Sequence, residues 1–168
     1  FHYTSAVLHN PTYRQKYELN LKREFPRLPF YKNFHQWVSW GKQLMDLHIN
    51  YEIAPYSLKR IDLPLSEDNK KTPKAKLKAD KVKGTIILDD VTTLENIPKI
   101  AWEYRLGNRC ALEWILDQYK EKKSKDPTIA AKFNTYRFAD YKEQVIDLLQ
   151  RVCTVSVETM HILQQMQK

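Results

Sequence analysis

The stretch Lys74–Leu94, "KAKLKADKVKGTIILDDVTTL", decides the fold class. Lysine alternates with alanine, leucine and valine in its first half, and β-branched residues follow from Thr85. Period-two alternation and β-branched residues are typical of strands, and Asp80 or Lys83-Gly84 marks a turn between them. The stretch therefore predicts a small antiparallel sheet or hairpin around residues 75–95.

The sequence on both sides of this stretch predicts helices. Asn10-Pro11 is a helix start, with a side-chain cap followed by proline, and this helix is expected to end near Phe25. Residues 34–49 place apolar side chains at i, i+3, i+4 and i+7, and residues 109–120 do the same over a shorter length. A long terminal helix is expected from Asp140. The fold class is therefore α+β, mainly helical, with a small antiparallel sheet and a long C-terminal helix.

Proline and polar residues indicate how these elements are organised. Pro55, Pro64 and Pro73 lie in a polar segment, so residues 54–75 predict a long loop or exposed excursion. We expect a single domain over 1–168, with a helical pair at 1–53, a basic loop or hairpin at 54–95 and a helical part at 96–168. The opening residues have no features of a signal peptide, and Phe1 is not methionine. The chain is therefore expected to be a piece of a larger protein, and the resemblance described below implies that this piece is C-terminal.

The positive charge is concentrated in one segment. Lysine and arginine number 28 against 20 acids, a net charge of +8, and seven lysines lie near the single acid Asp80. These lysines are Lys70, Lys71, Lys74, Lys76, Lys78, Lys81 and Lys83. Lysines that meet phosphates displace condensed counterions, so the cluster favours a polyanionic partner. The alternative is a solvated edge strand, where lysine prevents pairing between sheets.

Arginine and asparagine surround a glycine turn at residues 104–109. Arg105, Asn108 and Arg109 flank Gly107. Arginine can donate two hydrogen bonds to guanine, and asparagine can pair with adenine, so this turn has side chains that read base edges. The alternative is that Arg109 brackets the following helix while Asn108 serves the turn.

A further candidate cation lies on the connector "FPRLPF". Arg27 lies between Pro26 and Pro29, which restrict the backbone to extended conformations. The connector can therefore present a guanidinium at a fixed position. The alternative is that Arg27 buttresses the two helices that the connector joins.

Several classes of chemistry are excluded by composition. Glycine occurs only at positions 41, 84 and 107, so no glycine-rich phosphate loop can be formed. The histidines and the two cysteines, Cys110 and Cys153, lack the spacing of metal or redox sites, and both thiols are expected to be buried. No apolar run reaches the about 18 residues of a membrane helix, so no membrane partner is expected. We predict no catalytic residue, metal site or cofactor within this chain.

Four blocks carry a resemblance to a known family. They are "AVLHNPTYRQKYELNLKREFPRLPFY" at 6–31, "WVSWGKQLMDLHINYE" at 37–52, "IPKIAWEYRLGNRCALEWILDQY" at 97–119 and "VIDLLQRVCTVSVETMHIL" at 145–163. In this order they resemble the C-terminal region of Type ISP restriction-modification enzymes. Those enzymes are single polypeptides that combine a nuclease, a helicase-like ATPase, an adenine methyltransferase and a target recognition domain.

The resemblance implies a role in reading DNA. It places this chain in the latter part of the target recognition domain, with double-stranded DNA and the other domains of the parent as partners, and with residues 55–95 as the variable part. By the same resemblance, S-adenosylmethionine, ATP and Mg²⁺ are cofactors of the parent, which is expected in the bacterial cytoplasm. No motif of the parent's catalytic domains has matching positions in this chain, so no catalytic residue is carried over. A helical module that docks on another protein surface is the alternative.

Overall fold

The computed structural model describes residues 1–64 and 72–167, so Lys70 and Lys71 lie outside the described residues. Seven α-helices occur in these ranges. They are α1 His2–His9, α2 Pro11–Lys16, α3 Glu18–Leu21, α4 Phe34–Ile49, α5 Ala111–Gln118, α6 Pro127–Phe133 and α7 Lys142–Gln165. Six strands accompany them, namely β1 Lys59–Asp62, β2 Ala75–Asp80, β3 Thr85–Asp89, β4 Thr92–Glu95, β5 Arg105–Leu106 and β6 Arg109–Cys110. The predicted α+β class, mainly helical with a long C-terminal helix, is confirmed.

The stretch that predicted a small sheet supplies β2, β3 and β4 of an antiparallel four-stranded sheet. Its strand order is β1-β4-β3-β2, and a turn at residues 81–84 joins β2 to β3. The predicted unstructured excursion at 54–75 is wrong in part, because β1 lies within it. Arg60 and Ile61 of β1 pair with Leu94 and Thr93 of β4. Backbone pairing with a neighbouring strand thus orders a segment that has little apolar pattern of its own.

The N-terminal part is a layer of four helices rather than the predicted pair. Asn10 caps α2 as expected, since its Oδ1 accepts the backbone N–H groups of Thr12 at 2.8 Å and Tyr13 at 3.2 Å. The helix does not continue to Phe25 as predicted. The hydroxyl of Tyr13 donates to the carbonyl of Arg27 at 3.0 Å, so the chain must turn back soon after Leu21.

Helix α4 packs closely on α1, as its sequence pattern indicates. A side chain at Gly41 would place its Cβ atom only 1.8 Å from the carbonyl oxygen of His2. Only glycine therefore permits this approach of the two helices. Ala6 and Val7 of α1 and Leu44 of α4 are fully buried beside it.

Two apolar clusters form the interior, and α7 contributes to both. The first contains the sheet, α5 and the first half of α7, through residues such as Leu88, Leu112 and Leu149. The second contains α1, α4 and the end of α7, including Leu163. The sheet and the N-terminal helices are therefore positioned against one continuous helix.

The C-terminal part is less uniformly helical than expected. Helix α5 starts at Ala111 and not at the predicted Arg109, because Arg109 and Cys110 pair with Leu106 and Arg105 in a second small sheet. Helix α6 follows the polar segment after residue 120, where Asp126 caps it by accepting from the backbone N–H of Thr128 at 2.9 Å. Among the described helices, none is long and apolar enough to cross a membrane.

Candidate nucleic-acid interface

The predicted lysine segment forms the edge of the main sheet. Lys74 precedes β2, and Lys76 and Lys78 lie on it with exposed side chains, while Leu77 between them is buried. A bulge separates the pairing of Ala75 from that of Lys78, and Leu77 has a φ of 44°. The bulge lets Leu77 enter the core while both neighbouring lysines face solvent.

Carboxylates pair with only some of these lysines. The Nζ atom of Lys76 lies 3.0 Å from Asp90, and that of Lys81 lies 2.7 Å from Glu113. Lys74, Lys78 and Lys83 form no ion pair with any residue that the structure describes. The edge position fits both interpretations made from the sequence, since lysine on an edge strand binds phosphates or blocks sheet pairing equally well.

Two cations that the sequence analysis missed lie beside the lysine edge. Lys78, Arg109 and Lys120 line a cleft of about 350 Å³ between β2 and α5. Lys74, Lys120 and Arg137 line an adjoining cleft of about 510 Å³. Lys120 and Arg137 are far from the lysine segment in sequence, so no local pattern could associate them with it. The fold therefore adds cations near the end of α5 to those of β2, while the carboxylates of Glu113, Asp117 and Glu121 line the same two clefts.

The glycine turn between β5 and β6 is held by its own side chains. Gly107 adopts a φ of 71°, a conformation that favours glycine. The guanidinium of Arg105 donates to the carbonyl of Asn108 at 2.5 Å, and the indole N–H of Trp114 donates to the carbonyl of Leu106 at 2.7 Å. The exposed side chain of Asn108 makes no hydrogen bond with a described residue. The turn thus presents Asn108 outward on a fixed backbone.

Arg109 is held against α5. Its guanidinium forms an ion pair with Asp117 at 2.9 Å and lies 5.2 Å from the ring centre of Trp114. Hydrogen bonding to Arg109 lowers the pKa of Asp117. This geometry matches the alternative made from the sequence, in which Arg109 brackets the helix.

A hydrogen bond ties the start of the turn to the N-terminal layer. The Nε2 atom of His48 lies 2.9 Å from the hydroxyl of Tyr104, and its Nδ1 atom lies 2.6 Å from the carbonyl of Leu44. Burial raises the pKa of Tyr104, so the hydroxyl keeps its proton at neutral pH. The residue before Arg105 is therefore fixed to α4.

The proline connector exposes the guanidinium of Arg27 instead of packing it between the two helices. Two tyrosine hydroxyls hold the connector by its backbone, one from Tyr13 to Arg27 and one from Tyr3 to the carbonyl of Pro29 at 2.6 Å. The Arg27 side chain is 93% exposed, and its ion pair with Glu24 is long, at 3.8 Å. The backbone is thus anchored while the side chain remains available.

The family model for the Type ISP C-terminal specificity domain matches residues 1–148. The chain belongs to this family. No match was found among curated proteins. Within the described residues of this specificity domain, no group of three or more histidine, cysteine or carboxylate side chains is arranged to hold a metal ion.

Solved structures resemble the specificity domain over nearly its whole length. A chain of a DrdV–DNA complex is 55% identical with a TM-score of 0.88, and the match covers 98% of this chain and 17% of that chain. A nuclease-deletion mutant of the Type ISP enzyme LlaGI, in complex with a DNA substrate mimic, is 35% identical with a TM-score of 0.75, covering 98% and 16%. The ATP-dependent Type ISP enzyme LlaBIII, bound to DNA, is 31% identical with a TM-score of 0.73, covering 98% and 11%. The specificity domain therefore spans less than a fifth of each of these chains.

Proposed function

We propose that this specificity domain recognises the DNA target of a larger restriction-modification enzyme. The observation that carries the proposal is the family match, together with similar chains that were solved in DrdV, LlaGI and LlaBIII complexes with DNA. The cationic edge of the sheet supports it, because phosphate contacts supply much of the affinity of DNA-binding proteins.

The cations around β2 are assigned to the DNA backbone. Lys74, Lys78 and Lys83 are exposed and form no ion pair within the described ranges. Lys120 lines a cleft with Lys78 and another with Lys74, and Arg137 lines the second of these. Lysine meets phosphate as a point charge and carries little base specificity. This surface therefore fixes the position of the duplex, while other side chains select the sequence.

Catalysis is assigned to the parts of the parent enzyme outside this chain. S-adenosylmethionine, ATP and Mg²⁺ are cofactors that the family resemblance implies for methylation and ATP-driven restriction. The assignment is supported by two observations: no cluster of metal ligands is found among the described residues, and the sequence has no glycine-rich phosphate loop. In this proposal the domain contributes binding and selection, and no reacting group.

Titration of the full-length protein with duplex DNA at several salt concentrations tests the proposal. The logarithm of the association constant should fall linearly as the logarithm of the salt concentration rises. Each neutralised phosphate should contribute about −0.9 to the slope. Replacing Lys74, Lys78 and Lys83 by glutamine should weaken binding to all duplexes alike and reduce the slope by about 2 to 3.

A matched triple variant separates this effect from the loss of net charge. Lys32, Lys125 and Lys132 are exposed, form no ion pair with a described residue and line neither cleft along β2. Their replacement by glutamine should leave the salt dependence almost unchanged. Equal effects of the two triple variants would contradict the assignment of the β2 surface to DNA.

A second candidate function is docking on another protein surface, and the proline connector favours it. Phe25 and Phe30 are 96% and 98% exposed on a backbone that two tyrosine hydroxyls hold in place. Large exposed aromatic side chains are typical of interaction sites. If docking is their role, Phe25→Ser and Phe30→Ser should lower the melting temperature of the full-length protein without changing the salt slope of DNA binding.

A further inference from the structure

An open groove of about 1000 Å³ lies apart from the lysine edge. Helix α2, the turn between β5 and β6, and the end of α7 form its walls. It shares no lining residue with the two clefts along β2. The molecule therefore has a second polar surface that the phosphate-binding assignment does not use.

The groove combines an apolar floor with polar walls. Pro11, Leu21 and Met160 are partly buried and supply apolar surface. Exposed side chains on the walls carry guanidinium, amide and carboxylate groups. They are Arg14, Gln15, Glu103, Arg105, Asn108 and Gln164.

The polar groups of the walls remain available for a ligand. The carboxylate of Glu18 pairs with Lys22 at 2.6 Å and not with Arg14. Arg14 and Glu103 form no ion pair with another residue in the described ranges. Arg105 uses one nitrogen on the carbonyl of Asn108, which holds its guanidinium in place. The walls thus present both donors and acceptors.

Glu103, which forms no ion pair with a described residue, distinguishes this groove from the first cleft along β2, where Glu113 and Asp117 are paired with Lys81 and Arg109. A carboxylate such as Glu103 repels phosphate, yet it can accept a hydrogen bond from the amino group of cytosine. Arginine donates two hydrogen bonds to guanine, and glutamine or asparagine pairs with adenine. The same side chains therefore suit base edges better than a uniformly negative backbone.

Two fixed backbone segments carry these side chains. The Asn10 cap fixes the start of α2, and the bond from Tyr104 to His48 fixes the start of the turn. A discriminating site requires such support, because a loose side chain loses both affinity and selectivity. The backbone of the groove is therefore fixed at the start of α2 and at the start of the turn.

We propose that this groove reads base edges of the DNA target, with Arg14 and Glu103 as specificity-determining side chains and Gln15 and Gln164 as amide partners. The inference rests on the proposed function, since it assumes that the domain contacts DNA. It adds residues of α2, α7 and the segment before β5 to the side chains of the glycine turn, Arg105 and Asn108.

Selection from a randomised duplex library with the full-length protein tests the groove. The wild-type protein should enrich one sequence. Arg14→Ala and Glu103→Ala should each lose preference at a single, different base-pair position, with discrimination there falling about 5- to 150-fold. The matched control Lys16→Gln, also on α2 but outside the groove, should enrich the wild-type sequence.

The other outcomes overturn the inference in distinguishable ways. Equal weakening on every library member, with a salt slope lower by about 1, would make Arg14 a phosphate contact. Unchanged enrichment and affinity in both variants would remove the groove from DNA recognition while leaving the proposed function standing. Failure of the wild-type protein to enrich any sequence would remove the proposed function and the groove assignment together. Thermal melting of each variant confirms that it is folded.

Discussion

The Nζ atom of Lys81 lies 2.7 Å from the Oε1 atom of Glu113, so the turn between β2 and β3 is tied to the first turn of α5. The other carboxylate oxygen of Glu113 accepts the backbone N–H of Cys110 at 2.9 Å. One side chain thus fixes the tip of the hairpin and the start of a helix.

Replacing Glu113 by glutamine should destabilise the protein in a pH-dependent way. Burial alone would raise the pKa of Glu113, but the Lys81 ammonium and the Cys110 N–H lower it from 4.5 to about 2. A lowered folded-state pKa means that the stabilisation is complete above about pH 4.5 and is lost as the pH falls toward 2. Because solvent screens this ion pair, Glu113→Gln should lower the free energy of unfolding by about 1 kcal/mol at pH 7. Urea unfolding measures this change.

A local ion pair provides the control for this change. Asp46 pairs with Lys42 within helix α4, so Asp46→Asn removes a carboxylate without releasing the hairpin. Its effect should be smaller than that of Glu113→Gln at pH 7. A loss for Glu113→Gln that stays constant from pH 7 to pH 3 would contradict the role given to its charge.

Alanine at Gly84 should cost more stability than alanine at Gly107. Both glycines have positive φ angles, 65° and 71°, which disfavour a side chain by about 1 kcal/mol. At Gly84 the new Cβ atom would also lie 2.8 Å from the carbonyl of Ile97, whereas nothing lies within 4 Å at Gly107. Urea unfolding of both variants should show this order, and equal losses would mean that the contact with Ile97 relaxes freely.

Replacing Asp90 by asparagine should strengthen DNA binding. Asp90 pairs with Lys76 at 3.0 Å and accepts the backbone N–H of Lys74, and the Lys76 ammonium lowers its pKa. Asparagine retains an acceptor for the backbone but releases the lysine, so affinity should rise by about 2- to 5-fold at low salt, the size of a surface charge effect. Titration of the full-length protein checks this. Glu158→Gln on α7 is the control, and an equal gain there would indicate a general charge effect.

Both cysteines should react slowly with iodoacetamide in the folded protein. Cys110 and Cys153 are free and fully buried, and burial raises the pKa of Cys153 to about 11. A thiolate is the reactive form, so alkylation at pH 8 should become fast only in urea. Rapid labelling of the native protein, followed by mass spectrometry, would show that the interior opens readily.

The sequence predicted those elements whose own pattern determines them. Lysine alternation located β2, and the spacing of apolar residues located α4 and α7 at nearly their observed bounds. Strand β1 was missed because Ile61 is its only large apolar residue and pairing with β4 orders it. Helix α5 starts late because its first predicted residues join a small sheet. Such effects depend on neighbours that a local pattern does not contain.

The same distinction applies to the candidate site. The lysine edge, the glycine turn and the exposed Arg27 were visible as local runs of residues. Lys120 and Arg137 join the edge only through the fold, and Arg14 meets the glycine turn only across the groove. Their place in a surface is set by helix packing, so no spacing along the chain could indicate it.

Helix α7 packs against both apolar clusters. Its first half contributes Leu149 and Cys153 to the cluster beneath the sheet, and its last turns contribute Ile162 and Leu163 to the cluster beneath the N-terminal helices. This continuous helix of 24 residues therefore sets the distance between the sheet and the N-terminal helices.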